Sequence, residues 1–456
     1  MPACHCKDFS RAAFLRAGAA QAGQGLRPIE AGMPTPAGTG LSRRSFLART
    51  GGLALAVYGG KALSPAAWED GIAGAAAAGG KPPVIVSIFM SGGADSLSML
   101  APLGDSRYAT LRPTLKLPDS GNALDVFTED SRLRWHPSFA GLAELYGEGK
   151  VTVMPAVGYD DANQSHFTSR HFWEVGETNP FGRWGWLGRY LDHHGVADNP
   201  LQGLALGWDL QPVLAAKDVP VATVAEPDNY DFWTPGVWGP VADKMLDAFG
   251  DLGEPATSDV GLAQARSAVA ATGRLRDQLA PYQDGFTTPA GVTYPTGDFG
   301  GRLRALAAMI DGGLPLKVVA IESGGYDTHS NQLTSLPGDL LDIGDSLRAF
   351  QRDLEARSLQ DRVLVHVWSE FGRRPEENGS GTDHGAAGAG FLIGSSARGE
   401  MVGEFPGLAT LDAQSNLRHT VDFRAVYKGL TEQWLEVSAD GIVPAAGSFA
   451  APLLVR

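Results

Sequence analysis

Carboxylate and imidazole side chains recur in short polar segments that follow apolar runs of this sequence. Three such segments, 91–96, 323–329 and 369–374, carry Asp95, Asp327 with His329, and Glu370. Carboxylate oxygens and imidazole nitrogens are donors that bind divalent metal ions in proteins. Loops that follow neighbouring strands of a parallel sheet open into one crevice, so we expect the three segments to meet. They indicate a metal site at that edge of the sheet.

Asp383 and His384 extend this set of candidate ligands, but they precede an apolar run instead of following one. In an all-parallel sheet they would lie at the opposite edge from the other segments. If they join the site, we expect the strand at 390–394 to run antiparallel to its neighbours, unless a long connection brings them round. Asp327 and His329 point the same way when the chain is extended, which is ligand-like spacing. Each segment also has a plain interpretation as a helix cap, a turn or an ion pair.

The predicted metal ligands are Asp95, Asp327, His329, Glu370, Asp383 and His384. Four carboxylates in one crevice would raise each other's pKa unless a cation compensates them, so they either surround an ion or lie apart. Both cysteines, Cys4 and Cys6, fall at the N-terminus, which excludes a thiolate ligand from the rest of the sequence. With imidazole and carboxylate ligands, zinc or manganese fits best, and calcium, magnesium and iron are the alternatives.

Catalytic roles are predicted for Ser165, His166 and Arg373. The segment 158–167 follows an apolar run, and Ser165 is placed to cap a helix that continues to about Val175. The positive end of such a helix favours an oxyanion. Arg373 could offset part of the carboxylate charge, or hold a phosphate- or sulfate-like anion in a bidentate fork.

Apolar runs and helical periodicities alternate after residue 80, which predicts an α/β fold. Continuous apolar runs, typical of buried parallel strands, occupy 84–89, 151–154, 316–321 and 363–368. Helical periodicity occupies 138–146, 186–194, 241–249, 261–279, 301–310, 340–359 and 423–435. We expect a single domain over 81–456 with a mostly parallel sheet, and an insertion around 196–300, where strand signals are sparse.

The N-terminus is typical of an export signal. Arg43 and Arg44 precede a short apolar run at 53–58 and a small-residue stretch at 74–80. This order resembles a twin-arginine signal peptide over 1–80, with an attached amphipathic helix as the alternative. It predicts an extracellular or periplasmic protein that meets the twin-arginine translocase during export. The apolar run is shorter than the roughly 20 residues of a membrane span, so we expect no permanent membrane anchor.

The composition excludes other classes of function. The chain has 37 Lys and Arg residues against 51 Asp and Glu, a formal net charge of −14. A nucleic-acid partner is not expected, because phosphate neutralisation needs an excess of basic side chains. The sequence also lacks a Gly-x-Ser-x-Gly elbow and a His-Glu-x-x-His helix, which excludes the hydrolases built on those two motifs.

Together these motifs resemble the domain-of-unknown-function family numbered 1501. The segments that carry the resemblance, besides the export signal, are Ser91-Gly92-Gly93-Ala94-Asp95, Leu111-Arg112-Pro113-Thr114, Trp135-His136-Pro137-Ser138, Ser165-His166-Phe167, Gly185-Trp186-Leu187-Gly188-Arg189, Gly325-Tyr326-Asp327-Thr328-His329, Ser369-Glu370-Phe371-Gly372-Arg373 and Asp383-His384-Gly385. That family is similar to the sulfatase and alkaline phosphatase superfamily. The resemblance therefore implies a three-layer α/β/α sandwich with a mostly parallel sheet and a one- or two-metal site at its carboxyl edge.

The resemblance also implies roles for single residues. It makes Asp95 the first-strand ligand, Asp327 and His329 a later pair, Glu370 a further carboxylate and His384 the last imidazole, with Ser165 near the nucleophile position. Formylglycine sulfatases need a Cys/Ser-x-Pro-x-Arg motif, and no proline follows Ser165, so classical sulfatase activity is not expected. Glu370-Phe371 stands where many members of the superfamily have Asp-His, so one imidazole ligand is missing.

Two functions of different classes fit these residues. The first is an exported metal-dependent hydrolase of phosphate, sulfate or related esters. In it the metal polarises a small-molecule or polymer ester, Ser165 or a water attacks, and Arg373 steadies the developing charge. The second is a secreted binding or assembly protein that retains a vestigial metal site without turnover.

Overall fold

A computed structural model describes residues 32–35, 37, 55–58, 82–118, 127–196, 199–227, 239–259, 262, 266, 269, 275, 278–282 and 285–456. The Arg43-Arg44 motif and most of the helix expected at 261–279 lie outside the described residues. Among the described residues, no helix is long and apolar enough to cross a membrane.

The strands are β1 (Leu55–Tyr58), β2 (Val84–Met90), β3 (Leu100–Ala101), β4 (Arg134–Trp135), β5 (Val151–Gly158), β6 (Gly203–Leu206), β7 (Val221–Val224), β8 (Val318–Ser323), β9 (Val363–Trp368), β10 (Arg373–Glu377), β11 (Thr382–His384), β12 (Gly388–Ile393) and β13 (Val421–Asp422).

The α-helices are α1 (Ser96–Met99), α2 (Tyr108–Leu111), α3 (Ala140–Gly147), α4 (His166–Val175), α5 (Trp186–His194), α6 (Pro240–Asp251), α7 (Asp298–Asp311), α8 (Gln332–Ala356) and α9 (Phe423–Gly429). A π-helical turn, Leu430–Trp434, follows α9. Short 3₁₀ turns occupy Pro137–Phe139, Pro200–Gln202, Pro212–Leu214, Ala280–Tyr282 and Ala446–Ser448.

The chain divides into two compact units. The first consists of the described parts of Met1–Pro82 together with Asn179–Thr287 and Ala308–Ile321, and the second consists of Pro83–Thr178, Thr288–Ala307 and Glu322–Arg456. The segment 196–300, predicted as an insertion, falls mostly in the first unit. The division into a signal segment and one domain stays a prediction.

The second unit is built on the strands β2, β9, β12, β5 and β13, paired in that order. β2 and β9 pair in parallel, from Val84 opposite Val363 to Phe89 opposite Trp368. β12 pairs antiparallel with both β9 and β5, as expected for the strand at 390–394 if Asp383 and His384 join the site. All the other strands of this set therefore run the same way.

Burial explains why these segments form strands. Every residue of β2, β5, β9 and β12 is buried. Strands covered on both faces have continuous apolar runs, and each fully buried Val, Leu or Ile contributes about 1.5–3 kcal/mol. The apolar runs in the sequence thus correctly predict a sheet with buried faces.

The first unit has strands in the order β1, β7, β6 and β8, the last of which begins in this unit. β6 pairs in parallel with β7 and with β8, whereas β1 pairs antiparallel with β7. β1 lies in the apolar run of the predicted export signal. In the two sets of strands, only β12 and β1 run antiparallel to their neighbours, and the other seven strands are parallel within their set. The α/β class with a mostly parallel sheet is confirmed.

An aromatic cluster fills part of the core of the second unit. Trp173 stacks on Trp368 at 5.6 Å and on Phe423 at 4.7 Å between ring centroids. The ring of His366, on β9, meets the edge of Tyr427 at 5.7 Å. His366 is 2% exposed, and burial lowers its pKa to about 3. The ring is therefore neutral in the folded protein at any pH near neutrality.

We predict that His366 makes the protein sensitive to mild acid. Its pKa rises toward 6.5 on unfolding, so the unfolded state takes up a proton as pH falls below that value. Urea unfolding of the wild type should lose on the order of 2 kcal/mol between pH 7 and pH 5 from this ring alone. His366→Gln should lose correspondingly less over the same interval, whereas His193→Gln, at an exposed ring, should follow the wild type. An identical pH slope in His366→Gln contradicts the prediction.

Candidate metal centre

The loops that follow β2 and β9 meet, as expected for two parallel neighbours. The backbone N–H groups of Gly92 and Gly93 donate to the carboxylate of Glu370, at 3.1 and 3.0 Å. Both glycines have a positive φ, 124° and 72°. A Cβ on Gly92 would lie 2.4 Å from the backbone nitrogen of Asp327, and one on Gly93 would lie 2.3 Å from the ring of Phe371. The turn therefore requires glycine at both positions.

Three side chains from separate segments converge beside this turn. His166 is the first residue of α4, Asp327 lies in the loop after β8, and His384 is the last residue of β11. Each offers one ligand atom, and the three atoms lie within 4.8 Å of one another. The Nε2 atoms of His166 and His384 are each 3.5 Å from an oxygen of Asp327. We call these three residues the ligand cluster.

His329 lies against the ligand cluster. Its Nε2 is 2.9 Å from the Nε2 of His384 and 3.1 Å from Oδ1 of Asp327. Two ligands bound about 2.1 Å from one tetrahedral ion lie roughly 3.4 Å apart. The 3.5 Å separations of His166 and His384 from Asp327 match that spacing, whereas the two contacts of His329 are shorter. Without an ion, one of the two rings must donate a hydrogen bond to the other.

The opposite nitrogen of each ring faces an oxygen acceptor. Nδ1 of His166 contacts Oε1 of Glu370 at 2.7 Å, and Nδ1 of His384 contacts the carbonyl of Gln164 at 2.7 Å. Nδ1 of His329 is 3.3 Å from Oδ1 of Asp383. An Nδ1–H held in this way leaves the Nε2 lone pair for a metal, which is the usual arrangement of metal-binding histidines.

The charges in the ligand cluster are strongly coupled. Burial raises the pKa of Asp327, but hydrogen bonds with three histidine rings and the charge of Arg373 outweigh it and hold that pKa far below its usual range. Burial lowers the pKa of His166, but its bonds to Asp327 and Glu370 raise it overall to about 9. Burial lowers the pKa of His384. A cation in the cluster would take the place of the proton on His166.

Glu370 and Arg373 lie next to the ligand cluster and are enclosed by other groups. Glu370 also accepts a hydrogen bond from the Ser369 hydroxyl at 2.9 Å, and it is fully buried. Arg373 is fully buried too. It donates to the carbonyls of Gly93 and Thr382 at 2.7 Å each, and to Oδ1 of Asp327 at 2.5 Å. The guanidinium predicted to steady a substrate thus binds groups of its own chain.

Asp95 is not part of the ligand cluster. Its carboxylate forms a bidentate pair with Arg112, at 2.5 and 2.8 Å, and both side chains are fully buried. It also accepts from the hydroxyl of Ser98 at 2.7 Å and from the amide of Gln332 at 2.6 Å. Burial raises the pKa of Asp95, but Arg112 lowers it overall. In this structure Asp95 is the partner of an arginine, and the four predicted carboxylates do not surround one ion.

Asp383 lies beside His329, and Ser165 directly precedes the ligand-cluster residue His166. Asp383 accepts from the amide of Asn378 at 3.0 Å and faces His329 as described above. Ser165 occupies the N-cap position of α4, as predicted, and its N–H donates to the side chain of Asn163 at 2.9 Å. Ser165 is therefore held at the start of the helix whose first residue, His166, is in the ligand cluster.

The side chains present suit a divalent metal ion. A carboxylate and imidazole nitrogens form a donor set of the kind that binds divalent metal ions. Solvent reaches the cluster, since Asp327 is 26% and His384 14% exposed.

His166 would hold the metal as a ligand, a role the sequence did not suggest for it. Its position at the start of a helix beside Ser165 was the available signal, but the structure was needed to turn its ring toward Asp327.

We predict that Asp327 and His384 are needed for metal binding. Metal-free protein titrated with Zn²⁺ against a chromophoric chelator should bind the ion. Asp327→Asn and His384→Ala should weaken that binding about 100-fold or more, because the first replaces the anionic carboxylate by a neutral amide and the second removes a ring nitrogen. The control His193→Ala removes an exposed ring elsewhere and should bind as the wild type does. Equal affinity in His384→Ala and wild type would falsify the assignment.

We predict that Arg112 stabilises the fold. Arg112→Met leaves the buried carboxylate of Asp95 without its cation and should lower the free energy of unfolding by about 3–5 kcal/mol. The matched control is Arg132→Met, which breaks the partly exposed pair with Asp130 and should cost about 1 kcal/mol or less. Urea unfolding monitored by circular dichroism measures both. Similar losses in the two variants argue against a special role of the buried pair.

Comparison with known proteins identifies part of the chain. No curated protein matches the sequence. The crystal structure of PsFucS1 sulfatase from Pseudoalteromonas sp. is similar to this chain with a TM-score of 0.38 and 9% sequence identity, over 86% of this chain and 78% of that one. Residues 266–437 match the family described as "Protein of unknown function (DUF1501)". The resemblance predicted from the motifs is thus confirmed over residues 266–437, the part of the chain that matches this family.

Proposed function

We propose that the protein is a metal-dependent hydrolase of phosphate, sulfate or related esters. The observation that carries this proposal is the ligand cluster, in which the Nε2 atoms of His166 and His384 face the carboxylate of Asp327. That carboxylate is partly exposed to solvent. His329 is available as a further ligand through its Nε2. A site of this composition, open to solvent, is the kind used to hydrolyse esters.

A bound divalent ion would supply a Lewis acid that polarises the ester. The residues of the chain bind and orient the substrate. α4 starts at the ligand cluster, so its partial positive charge favours an anionic ester there. The hydroxyl of Ser165 precedes that helix and is our candidate nucleophile.

In the proposed reaction the oxygen of Ser165 bonds to phosphorus or sulfur while the ester bond to the alcohol breaks. The proton of the hydroxyl passes to solvent, and the departing alkoxide takes a proton from solvent. Water then cleaves the serine ester, restores the hydroxyl and releases phosphate or sulfate. Direct attack by water in place of Ser165 gives the same products.

We further propose that the protein is exported by the twin-arginine pathway and acts outside the cytoplasm, with the translocase as its transient partner. The order of Arg43-Arg44, apolar run and small residues supports this proposal. The net charge of −14 supports the absence of a nucleic-acid partner.

The hydrolase is tested with aryl phosphate and aryl sulfate esters. Protein loaded with Zn²⁺ or Mn²⁺ should release the phenol from at least one of them, and EDTA should abolish the release. We expect Asp327→Asn and Ser165→Ala to lose about 100-fold or more in kcat/KM. The control Asp160→Asn, at a carboxylate with 93% exposure outside the cluster, should retain activity.

Bound metal without turnover of any ester, together with an unchanged profile in Ser165→Ala, would overturn the hydrolase. That result would favour the alternative function, a secreted binding or assembly protein that keeps the ion without catalysis.

A further inference from the structure

We propose that the Gly92-Gly93 turn positions the ligand cluster through two buried intermediaries, Glu370 acting on His166 and Arg373 acting on Asp327. Glu370 and Arg373 are then positioning residues, neither metal ligands nor groups that touch the substrate. The effect on the ion rests on the proposed function, because it requires that the cluster bind a metal.

The N–H groups of the turn hold Glu370. Gly92 donates to both carboxylate oxygens, at 3.1 and 3.3 Å, and Gly93 donates to Oε2 at 3.0 Å. Consecutive N–H groups of this kind form a nest for an anion, and here the anion is a side chain of the protein. Oε1 remains directed at Nδ1 of His166 at 2.7 Å, which fixes the orientation of that ring.

The carbonyl groups of the same turn hold Arg373. Its Nε donates to Gly93 at 2.7 Å and its Nη2 donates to Gly92 at 2.5 Å. That Nη2 also donates to Oδ1 of Asp327 at 2.5 Å. The two faces of one dipeptide thus orient an imidazole ligand and a carboxylate ligand of the cluster.

Burial makes this arrangement rigid. Glu370 and Arg373 are both fully buried, so water cannot replace a lost bond without rearrangement. The carboxylate of Glu370 accepts from two glycine N–H groups, the hydroxyl of Ser369 and the ring of His166. Glu370→Gln keeps the shape of the side chain but turns an NH₂ group toward one of these donors. The ring of His166 should then lose its fixed orientation.

The test measures metal binding. Zn²⁺ affinity is obtained by competition with a chromophoric chelator, and coordination is monitored by the visible spectrum of the Co²⁺ form. We expect Glu370→Gln to weaken Zn²⁺ binding about 10- to 100-fold. The Co²⁺ bands should keep the pattern of the wild-type coordination number, because the set of ligand atoms is unchanged. Arg373→Lys, which keeps the charge but loses the fork, should also weaken binding.

The matched control is Glu174→Gln, the same change at a buried carboxylate that pairs with Arg170 on α4. It should bind Zn²⁺ as the wild type does. If Glu370→Gln does not fold, Ser369→Ala removes a hydroxyl that contacts Glu370, Met90 and Ala94 without touching a ring, and should weaken binding in the same direction.

Four results would overturn the inference. Unchanged affinity in Glu370→Gln, or an equal loss in Glu174→Gln, removes the positioning role while leaving the proposed hydrolase intact. Co²⁺ bands that change to the pattern of a different coordination number in Glu370→Gln show that Glu370 is itself a ligand. A wild type that binds neither ion overturns the proposed function together with this inference.

Discussion

A carboxylate removed from water must receive hydrogen-bond donors or a cation, and this requirement organises the second unit. Moving such an ion out of water costs several kcal/mol, so a buried carboxylate is stable only when donors or a cation are in place around it. Asp95 and Glu370 are both fully buried. The first is neutralised by Arg112 and the second by a glycine turn and a histidine ring. The loop that follows β2 takes part in both arrangements, through Asp95 and through the N–H groups of Gly92 and Gly93.

The same requirement separates the carboxylates into different roles. Asp95 has donors on both oxygens and is closed to solvent, so it serves the fold. Glu370 is equally closed but has one oxygen directed at His166, so it links the fold to the ligand cluster. Asp327 combines partial exposure with three histidine neighbours. Residue type alone would not distinguish the three, since each is an acid that follows a strand.

The sequence predicted the positions of helices and strands better than it predicted which side chains contact each other. The strand expected at 363–368 and the helix expected at 186–194 have those bounds in the structure, because a continuous apolar run specifies the first and a helical periodicity specifies the second. β6 and β7 were missed, since four residues are too few to show a period. α8 begins eight residues before the predicted 340, because Pro337 and the glycine after it resemble a helix breaker.

In the site, too, the sequence predicts the residue types but not the partners of the side chains. The residue types, the two pairs Asp327 with His329 and Asp383 with His384, and the place of Ser165 at a helix start were all predictable. Which acid meets which donor was not predictable, because Glu370 is bonded to a turn 278 residues away. Pairing over such a distance depends on the register of β2 against β9, which no local pattern contains.

The hairpin of β10 and β11 explains how a ligand that precedes its strand still reaches the correct edge. Arg373 begins β10 and lies opposite His384, the last residue of β11. The chain therefore leaves β9 at the edge of the sheet, turns back within the hairpin and returns to that edge before β12 starts. β12 must then run antiparallel, which it does against both neighbours. One hairpin thus carries both an arginine that holds the glycine turn and a histidine of the ligand cluster. A shift in its register would move the two together.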